Sequence, residues 1–262
     1  MSDIDGIDST VATAARMYDY YLGGKDHFPV DREAAEAVLR AAPEVRLLAV
    51  ENRRFVQRAV RYLAEQGVRQ FLDIGAGLPT QGNVHEIAHE ENLDAHVVYV
   101  DNDPIVLSHA RALLAEHGTT AVIQADLRDP ASILDNRQVR ELLDFDQPIA
   151  LMFCAILHFV PDADRPGDLI EAYKRLLAPG SHLVLSHVTG DSRPQQSQGA
   201  ADAYKNTKNP ATLRSKETVT GFFDGFELVE PGVTYVPAWR PDEPSAVDPT
   251  LAWMLGGVGR RR

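Results

Sequence analysis

Residues 70–80 read Gln70-Phe71-Leu72-Asp73-Ile74-Gly75-Ala76-Gly77-Leu78-Pro79-Thr80, a short β-prone run stopped by glycines. The pattern predicts a strand over Gln70–Ile74 whose carboxyl end opens onto a ligand crevice, as strand ends do in open parallel sheets. Gly75 and Gly77 let the backbone turn tightly and come close to a bound molecule. The dinucleotide fingerprint needs a third glycine, and Thr80 stands in its place. Asp73 points the same way. A carboxylate at that strand end repels a pyrophosphate and attracts an ammonium or sulfonium group, which disfavours a nicotinamide-dependent oxidoreductase.

Downstream, β-rich runs alternate with helical ones: Val84–Glu91, His96–Asp101, Pro104–Glu116, Ala121–Ala125, Ile149–Cys154, Asp168–Leu177 and His182–His187. That alternation predicts right-handed βαβ units, hence an α/β fold doubly wound on a mostly parallel, seven-stranded sheet. A polar segment with few apolar residues, Thr189–Lys208, follows. After it come a helix capped by Ser215, a strand at Phe226–Val229 and a last strand near Leu251–Val258.

Upstream, the chain reads as helices. Ser9 or Thr10 caps a first one with Val11, Ala14, Ala15, Tyr18, Tyr21 and Leu22 on its apolar side, and Gly23-Gly24 ends it. Asp31 caps a second running toward Ala41, and a third carries Leu48, Phe55, Ala59 and Leu63 until Gly67. Residues 1–69 are therefore expected to form an N-terminal helical extension and 70–262 the sheet core.

The other strand ends also carry acids. Asp101 follows the second strand, where a carboxylate accepts from a ribose diol, and Asp126 follows the third, suited to an exocyclic amine. Composition narrows the partner. The chain has 262 residues, 44% of them apolar, with a net charge of −12 and a pI near 5.2, so it opposes the positive field that nucleic acids require. Cys154 is the single cysteine, which excludes an intrachain disulfide. The first residues, MSDIDGIDST, lack a leader pattern and no apolar run is long enough to span a bilayer. These features predict a soluble, cytoplasmic protein that acts on neither nucleic acid nor membrane. Nothing in them fixes the oligomeric state.

The motif set resembles the Rossmann-like, class I S-adenosylmethionine-dependent methyltransferases from Gln70 to about His187. The resemblance implies that Asp73, Gly75, Ala76 and Gly77 surround the methionine part of the cofactor, S-adenosylmethionine. Asp101 would hold the ribose and Asn102 lie by the adenine, with Asp126 and Leu127 reading the adenine edge. Phe153-Cys154-Ala155 would lie against the amino-acid end, and Leu177-Ala178-Pro179-Gly180-Ser181-His182 resembles the turn into the fifth strand. More narrowly, Ala15–Asp26 joined to Asp31-Arg32-Glu33-Ala34-Ala35 is similar to an actinobacterial methyltransferase group.

A methyltransferase needs its cleft closed to water, and the helical extension is the available lid. In MYDYYLGGKDHF, residues 17–28, Tyr18 and Tyr21 offer aromatic surface to a sulfonium and Gly23 and Gly24 allow close approach. Arg16 and Lys25 offer charge to an anionic group. His158 and His187 follow strands on the same side and are candidates to reach an acceptor. Cys154 reads as a small strand-end residue, not a nucleophile. His85-Glu86-Ile87-Ala88-His89 matches H-E-x-x-H, yet Val84, Ile87 and Ala88 should face the sheet and turn the histidines outward, so no metal is expected. The expected activity is methyl transfer to a small-molecule acceptor, the alternative a non-catalytic sensor or scaffold that binds S-adenosylmethionine. No catalytic base is assigned by these motifs.

Overall fold

The computed structural model describes residues 7–79, 82–108, 118–243 and 248–262. Its sheet is built from β1 (Gln70–Ile74), β2 (His96–Asp101), β3 (Thr120–Gln124), β4 (Ala150–Cys154), β5 (His182–Val188), β6 (Phe226–Leu228), β7 (Thr234–Tyr235) and β8 (Met254–Arg261). The order β3-β2-β1-β4-β5-β8-β6 makes a seven-stranded path, and the two-residue β7 pairs with β8. The first five strands pair in parallel, while β8 runs antiparallel to β5 and β6. All residues of β1 are buried, as a strand covered by helices on both faces must be. The chain winds outward in both directions from β1 and β4, which sets the crevice at their carboxyl ends.

Helices α1 (Ala14–Tyr21), α2 (Pro29–Ala41) and α3 (Val45–Glu65) precede the sheet, and α4 (Val84–Glu91) follows β1. Phe55, Ala59 and Leu63 of α3 share one core with Phe71, Met152 and Val184 of the sheet. α3 approaches β8 closely because Gly256 has no side chain: a Cβ there would lie 2.9 Å from Phe55 Cζ. The opposite face of the sheet is covered by a second core that includes Ile133, Ile170, Tyr173 and Phe222.

Several boundaries differ from the sequence reading. The residue capping α1 is Thr13, and Asp8, not Ser9 or Thr10, organises the preceding turn by accepting the Thr10 N–H at 2.8 Å. Val11 is 39% exposed, whereas Arg16, Met17 and Asp19 are buried, so α1 turns a partly charged side inward. α2 starts at Pro29. Asp31 stands in its first turn and accepts the Phe28 and Thr13 N–H groups at 2.8 and 3.0 Å. Within the polar stretch Thr189–Lys208, residues Pro194–Tyr204 form a helix whose inner side is Ser197, Ala200, Ala201 and Tyr204. Its small residues conceal the period, and Gly199 lets it lie against Ala41. The last strand begins later than expected because Pro249–Leu251 form a 3-10 turn. Residues 104–108 are helical; the rest of the expected Pro104–Glu116 helix, and Thr80, lie partly or wholly outside the described residues.

Candidate active site

A cleft of about 1290 Å³, its open mouth included, lies between the carboxyl ends of β1, β2 and β4 and a cover made by α1, α3 and the helix Pro194–Tyr204. From the sheet it is lined by Asp73, Gly75, Ala76 and Gly77, by Asp101 and Asn102, and by Cys154 and Ala155. The turn after β1 is shaped by its glycines. Gly75 has φ +78° and a Cβ there would lie 2.4 Å from Ile156 Cγ1; Gly77 has φ +68° and faces open space. Backbone N–H groups of Gly75 and Ala76 donate to the Val100 carbonyl at 2.7 and 3.1 Å, which fixes the turn to β2.

Asp101 is held from both sides, accepting the Gly77 N–H through Oδ2 and the Asp103 N–H through Oδ1, each at 2.9 Å. Burial pushes its carboxyl up to about 6, and those N–H groups pull in the opposite direction. Burial pushes Asp73 up to about 7, with Arg53 opposing the shift and Asp101 adding to it. Both therefore ionise at a higher pH than an ordinary carboxyl, and a donor or cation joining either would favour its ionised form. Burial also pushes the Cys154 thiol up, which leaves it protonated and unreactive.

Asp126 and Leu127 do not line the cleft. Asp126 stands beyond β3, where Arg128 Nε and Nη2 donate to it at 3.0 and 2.6 Å and its carboxyl, held low chiefly by Arg128, also interacts with Asn102. The Leu127 carbonyl accepts from the Tyr173 hydroxyl at 2.8 Å.

Of the expected cover residues, Tyr18, Tyr21 and His158 line the cleft. The Tyr18 hydroxyl donates to the Ala49 carbonyl and accepts from Asn52 Nδ2, both at 3.0 Å, and that of Tyr21 lies 3.2 Å from the Tyr204 hydroxyl. His158 is held neutral by burial and by the nearby His187 and Arg214, which push its pKa well down. Its Nδ1 is enclosed without a partner among the described residues. His187 sits behind it as a packing residue: Nδ1 donates to the Val188 carbonyl at 2.7 Å and Nε2 accepts from Arg214 at 2.8 Å.

Arg16, Gly23, Gly24 and Lys25 lie off the cleft, contrary to expectation. Arg16 is 2% exposed and spends its donors on the Thr13 hydroxyl and the carbonyls of Asp8 and Val11, beside Asp31 and Asp103. Gly24 makes room for the Asp19 carboxylate, Gly23 takes φ +81° to end α1, and Lys25 is exposed. His85 and His89 also differ from the outward placement expected. His85 is buried with Nδ1 2.8 Å from the Tyr99 hydroxyl, and His89 Nε2 donates to the Ala95 carbonyl at 2.9 Å. Among the described residues no cluster of three metal-ligating side chains occurs.

Sequence reasoning missed Asn52, Arg53, Ser197 and Tyr204, all of which line the cleft. A signal existed for the first two. They interrupt the stripe Leu48, Ala49, Phe55, Val56 on α3, where polar residues are costly unless they serve a site.

The profile of a family described as S-adenosyl methyltransferase matches residues 2–262. A crystal structure of a DUF574 family protein from Streptomyces avermitilis MA-4680 is 42% identical, with a TM-score of 0.94 over 97% of this chain and 99% of that one. A protein provisionally assigned as a methyltransferase from Thermobifida fusca YX is also 42% identical, with a TM-score of 0.92 over 97% and 96% of the two chains. Mitomycin 7-O-methyltransferase shares the fold at 16% identity, with a TM-score of 0.51 over 79% of this chain and 54% of that one. No curated protein matches significantly. The parallel sheet, the acid-and-glycine turn after β1 and the match along almost the whole chain agree: the protein belongs to the S-adenosyl methyltransferase family, whose methyl donor is S-adenosylmethionine.

Proposed function

We propose that the chain methylates a small organic acceptor in the cleft at the carboxyl ends of β1, β2 and β4. The observation that carries this reading is the enclosure of the cleft. Beyond the acids of the strand ends its walls are Tyr21, Leu48, Phe159, Tyr204, Leu213 and Trp253, an apolar chamber roofed by helices that admits a small molecule more readily than a macromolecule. The net charge of −12 supports the same choice by opposing nucleic acids. No helix among the described residues is long and apolar enough to cross a membrane.

Bound S-adenosylmethionine supplies a methyl group on a sulfonium, ready for in-line displacement. The donor set fits it. Asp73 offers an acceptor to its ammonium, Asp101 accepts from ribose hydroxyls, and Gly77 leaves open space where any other residue would place a side chain. In this reading Gly75, Ala76, Asn102, Cys154 and Ala155 line the cofactor, while Asp126 and Leu127 stand at the adenine end. Tyr18 and Tyr21 wall the region of the transferred methyl, and the helices of residues 1–69 serve as the cover that excludes water.

His158 offers a neutral imidazole to the acceptor, placed to orient it. Protonating that ring beside Arg214 is unfavourable, so acceptors that ionise readily, or need no deprotonation, suit the site. The test is transfer of a labelled methyl from S-adenosylmethionine into a fractionated metabolite extract. Label in a small-molecule fraction supports the reading; label confined to protein or nucleic acid overturns it.

A further inference from the structure

Arg53 leaves α3 toward the glycine-rich turn and lines the cleft beside Asp73. Its neighbours in sequence use their charge elsewhere: Arg54 pairs with Glu51 at 2.6 Å, and Arg58 donates to the carbonyls of Trp239 and Val236. Arg53 is different. Among the described residues, Nη2 donates to Asn83 Oδ1 at 3.0 Å, Nε is buried without a hydrogen-bond partner, and no carboxylate lies within ion-pair distance. A buried guanidinium donor left unmade is costly, so such a group marks a place where an anion belongs. Its field already acts on Asp73, Cys154 and Tyr18, all in the cleft.

The anion must also tolerate its surroundings. Asp73 and Asp101 lie in the same cleft, which opposes a phosphate or any other multiply charged anion. A single carboxylate carrying an ammonium on the same carbon meets both demands, since it sets one negative group toward Arg53 and one positive group toward Asp73. We propose that Arg53 binds the α-carboxylate of the methionyl end of S-adenosylmethionine. The inference rests on the cofactor of the family and is independent of the methyl acceptor. It makes the N-terminal extension a bearer of the cofactor site as well as a cover, because α3 supplies the cation and β1 the acid.

Calorimetric titration of the full-length protein tests this with four ligands: S-adenosylmethionine, S-adenosylhomocysteine, decarboxylated S-adenosylmethionine and 5′-methylthioadenosine. Removing one charge-assisted partner corresponds to a loss of about 10- to 150-fold in affinity. The wild type should bind S-adenosylmethionine tighter than its decarboxylated form by a factor in that range. Arg53→Met should erase most of the difference, weakening both carboxylate ligands while leaving decarboxylated S-adenosylmethionine and methylthioadenosine within about threefold. Equal weakening of all four ligands, or no weakening, overturns the proposal. Arg53→Lys, which keeps the charge but not the planar fork, should retain part of the preference even if the methionine variant fails to fold. A wild type that binds both forms equally overturns the proposal without any variant. A wild type that binds none of the four overturns the cofactor assignment with it, whereas normal binding without methyl transfer bears only on the proposed activity.

Discussion

The Thr13 hydroxyl donates to Asp103 Oδ2 at 2.7 Å, tying the segment before α1 to the turn after β2 across 90 residues of chain. The Asp103 N–H in turn donates to Asp101, and Asp101 accepts from Gly77, so the N-terminal segment and the glycine-rich turn share one line of hydrogen bonds. Thr13→Val should remove a buried hydrogen bond at a cost of about 1 kcal/mol and speed amide exchange across residues 11–30. Asp103→Ala should cost more, about 3 kcal/mol, because it strips a carboxylate from the buried Arg16. Urea unfolding measures both. S-adenosylmethionine should slow exchange in the same segment, and unchanged exchange on binding would separate the cover from the cofactor.

S-adenosylmethionine at about a hundred times its dissociation constant should stabilise the protein by about 2.7 kcal/mol, seen as a rise in melting temperature, while NAD and NADP give none. Asp101→Ala should reduce that rise, since ribose hydroxyls would lose a charged acceptor. Equal shifts with NAD count against the site as drawn.

Much of this was legible in the sequence, for a physical reason. Strands such as Gln70–Ile74 and Ala150–Cys154 are short apolar runs, and their ends announce themselves by acids and glycines that packing does not demand. The cover was harder to read. Arg16 was expected to offer its charge to an anionic group at the cleft, yet it is buried beside Asp31 and Asp103, partners distant in sequence that no local pattern reveals. The helix Pro194–Tyr204 buries alanines and a serine, too weak a stripe to stand out. Arg53 breaks the apolar stripe of α3 as Asn52 does, but it is one arginine among several in that helix, and the unpartnered Nε that sets it apart shows only in the structure.

Cofactor affinity should depend on pH through Asp73. Its carboxyl is raised from an ordinary value of 3.8 to about 7 in the folded protein, so it holds a proton there that the unfolded chain releases. The contribution of Asp73 to the stability of the ligand-free protein should therefore be fullest below about pH 4 and be lost as pH rises through about 7. Binding a cationic ammonium favours the ionised form, and affinity should rise over the same window with up to one proton released per site near pH 6. Asp101, raised to about 6, adds to the lower part of the rise. Titrations in buffers of different ionisation enthalpy count the proton, and Asp73→Asn should remove the upper part. Affinity that is flat from pH 5.5 to 7.5 would contradict the assignment of Asp73.

The H-E-x-x-H segment should hold no working metal. His85 Nδ1 lies on the Tyr99 hydroxyl and His89 Nε2 on the Ala95 carbonyl, so zinc would have to break contacts that order α4 against β2. Chelation should leave cofactor binding intact, and elemental analysis of untagged protein should show substoichiometric zinc. His85→Ala should instead lower stability by about 1–2 kcal/mol through the buried Tyr99 hydroxyl. One tightly held zinc lost in His89→Ala would restore the metal reading.

The Gly23-Gly24 pair should matter for stability and not for the cofactor. A Cβ on Gly24 would fall 1.9 Å from Asp19 Oδ1, and that carboxylate cannot withdraw freely. It is buried, accepts the Asp26 N–H at 2.9 Å and lies 2.9 Å from His27 Nδ1, so it organises the turn between α1 and α2. Gly24→Ala must displace it or bend the chain, at a cost of about 2 kcal/mol or more. The dissociation constant for S-adenosylmethionine, measured well below the lowered melting temperature, should stay within about twofold, because the pair lies off the cleft and an effect that size is below 0.5 kcal/mol. Lys25→Ala, at an exposed position, should change neither quantity. A Gly24→Ala protein of unaltered stability whose cofactor binding is weakened tenfold would return KDHF and its glycines to the active site.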